Sequence, residues 1–278
     1  MVYEEEGRKN SHQAVAARRA GATSILVSFV GDDEIGKKCL KSLRSCGIDT
    51  RFVSVAKGES TEVNHQYMDK VTRDYTLERF PCPLSNWYTP EMVEQYSEQV
   101  LSASAVILVS KQPKDFLTKM IDFCYENKIP TILTVSHEKF NIQDKRDLET
   151  LRKCTFIAGN LEETQTLSGK NTPEEILKTL PNSIITHGAS GVWFCDESGK
   201  MLHEEAVPPE KIVEINGAGD TFAGNFIVFY SEGKPIQECV RLGMCASAIE
   251  ISKMGVVAAM PFRPETEELY RKHFGTVI

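Results

Sequence analysis

Residues 213–226 read Val-Glu-Ile-Asn-Gly-Ala-Gly-Asp-Thr-Phe-Ala-Gly-Asn-Phe, and the fold is decided by how this stretch is read. Val213 to Ile215 reads as the end of a strand. Asn216, Gly217 and Gly219 then form a turn. From Thr221 to Tyr230, Phe222, Phe226 and Tyr230 recur at the i, i+4 spacing of one helix face. A glycine turn that opens a helix aims several unpaired backbone N–H groups, among them those of Gly217, Ala218 and Gly219, at one point. The helix dipole favours negative charge at the same point, so the nest suits a phosphate. Asp220 puts a carboxylate beside that nest, and two readings of it are open. It is a helix N-cap, the commoner job for an aspartate there. Or it takes the proton of an attacking hydroxyl while the neighbouring amides hold a transferring phosphoryl group.

Working outward, strands alternate with helices. Ser24 to Phe29 is a short apolar strand run, and Glu34 to Cys46 is an amphipathic helix that stops at Gly47. Ala105 to Ser110, Thr131 to Val135, Thr155 to Ala158 and Ser183 to Thr186 are brief runs rich in Ile, Val and Leu, with helical stretches such as Lys114 to Asn127 between them. Continuously apolar strands of this kind belong in a sheet covered on both faces. The order is that of a three-layer α/β sandwich around a mostly parallel central sheet. Thr61 to Arg79 breaks the pattern: it lacks a helical stripe and reads as an exposed hairpin with a turn near Asp69-Lys70. Its Arg73, Asp74 and Arg79 are either substrate contacts or solvated charges. With no linker and no repeat, residues 1–278 read as a single domain.

Composition narrows the function. Hydrophobic residues make up 41% of the chain, enough for a full core. A net charge of −7 without a basic tract argues against nucleic acid or an acidic membrane as a partner. No apolar run reaches the length of a membrane span, and the acidic start is unlike a signal peptide, so the expected location is cytoplasmic. The eight cysteines include no Cys-x-x-Cys pair and read as reduced, mostly buried thiols.

The segment that ends in Gly-Ala-Gly-Asp closely resembles the signature of the ribokinase-like carbohydrate kinases, the PfkB family. Further motifs follow in the family's order. Gly7 to Ala17 resembles its first glycine motif, and Val30-Gly31-Asp32-Asp33-Glu34-Ile35-Gly36 resembles its Val-Gly-x-Asp-x-x-Gly segment. Asn160-Leu161-Glu162-Glu163 matches Asn-x-x-Glu, Thr186 to Gly191 matches Thr-x-Gly-x-x-Gly, and Lys253-Met254-Gly255 sits at the adenine-side loop. The resemblance implies an ATP-dependent kinase acting on a hydroxyl of a small sugar, with Asp220 as base. The nucleotide would lie in a cleft bordered by Asn160, Glu163, Thr186, Gly188, Gly191, Gly217, Gly219 and Gly255, with Met244 and Val256 beside the adenine. Asn160 and Glu163 would act on Mg²⁺ and phosphate, largely through water; their spacing also satisfies a capping box. Gly7, Lys9 and His12 would line the sugar pocket, facing Asp220. The hairpin at 61–79 would be a small β lid and the surface of a homodimer.

The chain also departs from the family's pattern. The family's first strand, with its sugar-binding Asp, has no counterpart before Gly7. Arg8 replaces a glycine and His12 an asparagine. Arg8 offers a charge-assisted contact that would favour an anionic substrate. Glu214 and Asn216 stand where many relatives carry an Asp-Thr pair near a K⁺ site, and Glu is longer than Asp. Two alternatives stay open: a nucleoside kinase, because Asn precedes Gly-Ala-Gly-Asp in the adenosine kinase branch as well, or a catalytically impaired nucleotide-binding protein.

Overall fold

A computed structural model describes residues 8–68, 75–79, 83–136 and 139–275. They group into two compact units. One is drawn from Met1–Trp87, Pro208–Asn225 and Leu242–Ile278, the other from Tyr88–Val207 and Phe226–Arg241.

In the first unit, α1 (Lys9–Arg19) precedes β1 (Ser28–Gly31), α2 (Glu34–Ser45) and β2 (Val53–Ala56). β1 and β2 pair in parallel, extended by an isolated bridge between Ile25 and Asp49. The strand expected at Ser24 to Phe29 is thus shifted toward its C-terminal end, where Val30 drops into the core. α2 begins where Asp33 caps it, its side chain accepting from Gly36 N–H, and ends before Gly47 at φ +76, as the sequence suggests. β3 (Asn64–Met68) and β4 (Tyr75–Arg79) form the expected antiparallel hairpin. Its turn, with Arg73 and Asp74, lies outside the described residues, as do Gly7 and the side chain of Arg79. Val15, Ala16, Leu26, Val30, Leu43, Ile48, Val53, Val256 and Met260 make up this unit's buried cluster.

The second unit is built on a six-stranded sheet. Its elements are α3 (Met92–Gln95), α4 (Ser97–Leu101), β5 (Val106–Val109), α5 (Lys114–Glu126), β6 (Thr131–Thr134), α6 (Lys145–Lys153), β7 (Phe156–Asn160), α7 (Leu161–Ser168), α8 (Pro173–Thr179), β8 (Ser183–Thr186), β9 (Val192–Cys195) and β10 (Met201–Glu204). The strand order is β10-β9-β8-β7-β6-β5. β5 to β8 are parallel, whereas β9 and β10 are antiparallel additions at one edge. All four residues of β6 are buried, which is why its sequence is continuous rather than alternating.

The C-terminal helices are α9 (Ala218–Ser231), α10 (Ile236–Glu250), α11 (Val256–Ala259) and α12 (Arg263–Phe274). The expected aromatic face on α9 is real: Phe226 and Tyr230 stack 6.2 Å apart, and Phe156 of β7 meets both edge-on. α9 starts three residues earlier than the spacing suggests, at Ala218. Val213 to Ile215 is not a strand end. The N–H groups of Val213 and Glu214 donate to the carbonyl of Ile251 at the end of α10, so the segment hydrogen-bonds to a helix terminus instead of a sheet.

Candidate active site

The N-terminus of α9 is built by one glycine. Gly217 has φ +97, and a Cβ there would press into Val256 and lie 2.7 Å from Glu250 Oε1. The close approach and the left-handed backbone together demand glycine. Its carbonyl accepts the first intrahelical bond, from Thr221 N–H at 2.8 Å. The N–H groups of Ala218, Gly219 and Asp220 therefore precede the helical ladder and form the anion-binding end of the helix. Gly219 is exposed, and nothing lies within 4 Å of where its Cβ would be.

Two braces hold this turn. Ser247 Oγ donates to the Ala218 carbonyl at 2.8 Å. Glu214 Oε2 accepts from Gly255 N–H at 2.9 Å, which ties the segment before the turn to the start of α11. The Glu214 carboxylate is thus engaged internally. Gly255 has φ +84 and caps α11, whose Val256 is buried in the core against Gly217. Any contact from Val256 to a base would be through its backbone. Met244 is buried in α10, and a Cβ on the neighbouring Gly243 would lie 2.8 Å from the Phe222 ring.

Asp220 is not an N-cap. It is the third residue of α9, and its side chain turns toward α1. Its Oδ1 accepts from Gln13 Nε2 at 2.9 Å, and its Oδ2 lies 3.5 Å from His12 Nδ1. The carboxylate is nearly buried, at 8% exposure. A bond spanning 207 residues of sequence leaves no local signal, and the sequence reading singled out His12 but not Gln13. Lys9 opens α1, and Asn10 Nδ2 donates to Ser28 Oγ, which ties that helix start to β1.

Arg8, the residue before α1, forms an ion pair with Glu62 beside the hairpin. Its charge is already matched, which removes the support for an anionic substrate. Asp33 has a second task beyond capping α2: Oδ2 accepts from Thr61 N–H at 2.7 Å and Oδ1 from the Thr61 hydroxyl at 2.6 Å. The Val-Gly-x-Asp-x-x-Gly segment therefore fastens the base of the hairpin. Burial pushes the Asp33 carboxyl up, but the Thr61 hydroxyl and the amides of Gly36 and Thr61 outweigh it, holding the group below its ordinary value.

In the second unit, the two other motifs meet at the C-terminal ends of adjacent parallel strands. Asn160 of β7 is the register partner of Thr186 of β8. Thr186 Oγ1 donates to the Gly159 carbonyl at 3.4 Å. Glu163 N–H donates to Asn160 Oδ1 at 2.8 Å and Asn160 N–H to Glu163 Oε2 at 2.9 Å, so the capping box is formed. Gly188 and Gly191 both have positive φ, and a Cβ on Gly191 would collide with the Glu204 carbonyl. Between them the chain turns tightly: Gly191 N–H donates to the Gly188 carbonyl at 3.1 Å. Ends of parallel strands are where open α/β sheets bind ligands. Among the described residues no cluster of three or more His, Cys, Asp or Glu could hold a metal ion by itself.

Comparison with known proteins identifies the family and the fold. A model of the pfkB family of carbohydrate kinases matches residues 9–263. The chain is 28% identical over 266 residues to a ribokinase of Bacillus subtilis (strain 168), covering 95% of this chain and 87% of that relative. It is 27% identical over 250 residues to a cytidine kinase of Thermococcus kodakarensis, covering 87% of this chain and 86% of that one. The ribokinase of Arabidopsis thaliana, solved with ribose and ATP, superposes with a TM-score of 0.83 at 23% identity, over 95% of this chain and 86% of that one. That likeness carries the ribokinase-like α/β fold. The chain belongs to the pfkB family of carbohydrate kinases, the ATP-dependent kinases of small sugars.

Proposed function

We propose that this chain phosphorylates a hydroxyl of a small sugar, a pentose first among them, with Asp220 as the base. The observation that carries this reading is the start of α9, where open helix amides and a nearly buried carboxylate occur side by side. Asp220 takes the proton of the attacking hydroxyl, the hydroxyl oxygen bonds to the γ-phosphorus, and the bond from that phosphorus to the β-phosphate oxygen breaks to release ADP. The amides of Gly217, Ala218 and Gly219 hold the charge that develops on the phosphoryl oxygens.

Thr186, Gly188, Gly191 and Gly255 serve the nucleotide through backbone amides and close approach, and Lys9 and His12 serve the sugar. The amide and carboxylate oxygens of Asn160 and Glu163 are hard donors that suit Mg²⁺. Because both also bond backbone amides, they would hold it largely through water. Bound Mg²⁺ supplies screening of the triphosphate charge. The reaction assigns no role to K⁺, since Glu214 is used to hold Gly255. The two units serve one kinase domain, a reading supported by a single family model across 9–263. A cytoplasmic location and a homodimer through the β3–β4 hairpin belong to the same reading.

A nucleoside acceptor is the second reading, favoured by the cytidine kinase relative and by Asn216 before Gly-Ala-Gly-Asp. An ATP-consumption screen with Mg-ATP over pentoses, hexoses and nucleosides tests both. Turnover with a pentose and none with nucleosides is the expected result; turnover with nucleosides alone would replace the first reading by the second.

A further inference from the structure

We infer that Gln13 is a positioning residue for the base, an inference that rests on the reading of Asp220 as the group that takes the substrate's proton. Gln13 is 1% exposed, and its amide donates to Asp220 Oδ1 at 2.9 Å. An acidic residue at the third position of a helix ordinarily turns back to bond the capping residue's own N–H. Here the carboxylate is drawn across to α1 instead.

The distance between the two helices is set by backbone contact. One turn after Asp220, a Cβ on Gly224 would lie 2.5 Å from Ala16 Cβ, 2.8 Å from the Gln13 carbonyl and 2.9 Å from Ala17 N. α1 and α9 therefore touch along Gln13, Ala16 and Ala17 against Asp220 and Gly224. That close approach brings the Gln13 amide within hydrogen-bond distance of Asp220 Oδ1. The neighbouring His12 approaches the other oxygen at 3.5 Å, with its Nε2 buried and without a hydrogen-bond partner.

The chemistry of the donor matters. A Lys or Arg at position 13 would stabilise the carboxylate so strongly that it would be a poor base. A carboxamide orients without adding charge. With Gln13 on Oδ1 and the His12 ring beside Oδ2, Asp220 keeps a fixed geometry for the incoming hydroxyl, and small errors in such geometry lower turnover steeply. Gln13 thus governs turnover without touching substrate.

The test uses the full chain with the best acceptor from the screen and compares Gln13→Met, Gln13→Glu and Asp220→Asn. Methionine keeps the length of glutamine and removes the donor; glutamate keeps the shape and sets a second carboxylate against the first. Gln13→Met is expected to lower kcat roughly 10- to 100-fold while KM for ATP stays within about twofold. Gln13→Glu is expected to lower kcat further, because two carboxylates at one site repel. A packing role alone would shift the melting temperature and leave kcat of the folded variants equal to the parent. Parent-like kcat in Gln13→Met overturns the inference. If Asp220→Asn is inactive in that same experiment, the base reading survives; if Asp220→Asn also keeps turnover, the base reading itself has failed. A crystal structure of Gln13→Met gives a readout that needs no activity: the Asp220 carboxylate is expected in a different rotamer, and an unchanged rotamer would equally overturn the inference.

Discussion

Replacing Gly217 and Gly219 separately with alanine should split stability from activity in opposite ways. At Gly217 the backbone has φ +97, beyond the usual left-handed well, so a side chain there strains the backbone by roughly 1–3 kcal/mol. The added methyl also meets Val256, 1% exposed in the core, and lies 2.7 Å from Glu250 Oε1. Overpacking of that kind adds roughly 1–3 kcal/mol. Taking about 3 kcal/mol in all, Gly217→Ala should lower the melting temperature by roughly 6 to 12 °C. Gly219 has no positive φ and nothing within 4 Å of its would-be Cβ. As a helical position, it should gain about 0.5–1 kcal/mol from alanine. On the proposed placement of the phosphoryl group at the start of α9, the added methyl should crowd that group and lower turnover roughly tenfold or more. Differential scanning fluorimetry and steady-state ATP consumption read the two effects. A Gly217→Ala variant that melts with the parent would refute the steric argument. A Gly219→Ala variant with parental turnover would refute the placement of the phosphoryl group.

Asp33→Ala removes a helix cap and leaves Thr61 N–H without its acceptor, a loss of about 2 kcal/mol. Because the folded-state carboxyl lies below its ordinary value of 3.8, this stabilisation is complete above that value. It is lost as pH falls through the lowered one, so the stability gap between parent and variant should close only in acid; a gap that closes near neutral pH would contradict the assignment. Burial pushes the thiols of Cys154, Cys239 and Cys245 up to about 12, with Cys124 adding to the effect at Cys154 and Glu238 at Cys239. Iodoacetamide at about pH 8 should leave these three unmodified in the native protein and label them once it is unfolded. Fast labelling of the native form, read by mass spectrometry of peptides, would show that the packing is wrong.

Elements whose signals are local were legible in the sequence. The span of β8 matches the Ser183 to Thr186 run, α2 ends at its glycine, and the hairpin strands fall inside Thr61 to Arg79. Local signals also misled. Val-Glu-Ile has strand-like composition, but its N–H groups are used by Ile251, and composition carries no information about a partner that far along the chain. Gly219 argued for a longer turn, whereas only Gly217 of that pair needs a positive φ, so the helix begins at Ala218 and Asp220 lies inside it. The antiparallel pair β9 and β10 went unread, although Asp196 to Gly199 between them is a plain turn signal. The contacts that define the site, Gln13 with Asp220, Arg8 with Glu62 and Glu214 with Gly255, join distant segments. Only the fold brings those groups together.

The central claim is that Asp220 takes the proton of the attacking hydroxyl, and Asp220→Asn tests it most directly. Asparagine keeps the shape and can still accept from Gln13 through its carbonyl oxygen, so the variant should fold and melt close to the parent. It cannot take a proton. With the preferred acceptor and saturating Mg-ATP, kcat should fall by roughly two to four orders of magnitude while ATP binding is retained. A folded Asp220→Asn variant with turnover within about twofold of the parent would contradict the mechanism.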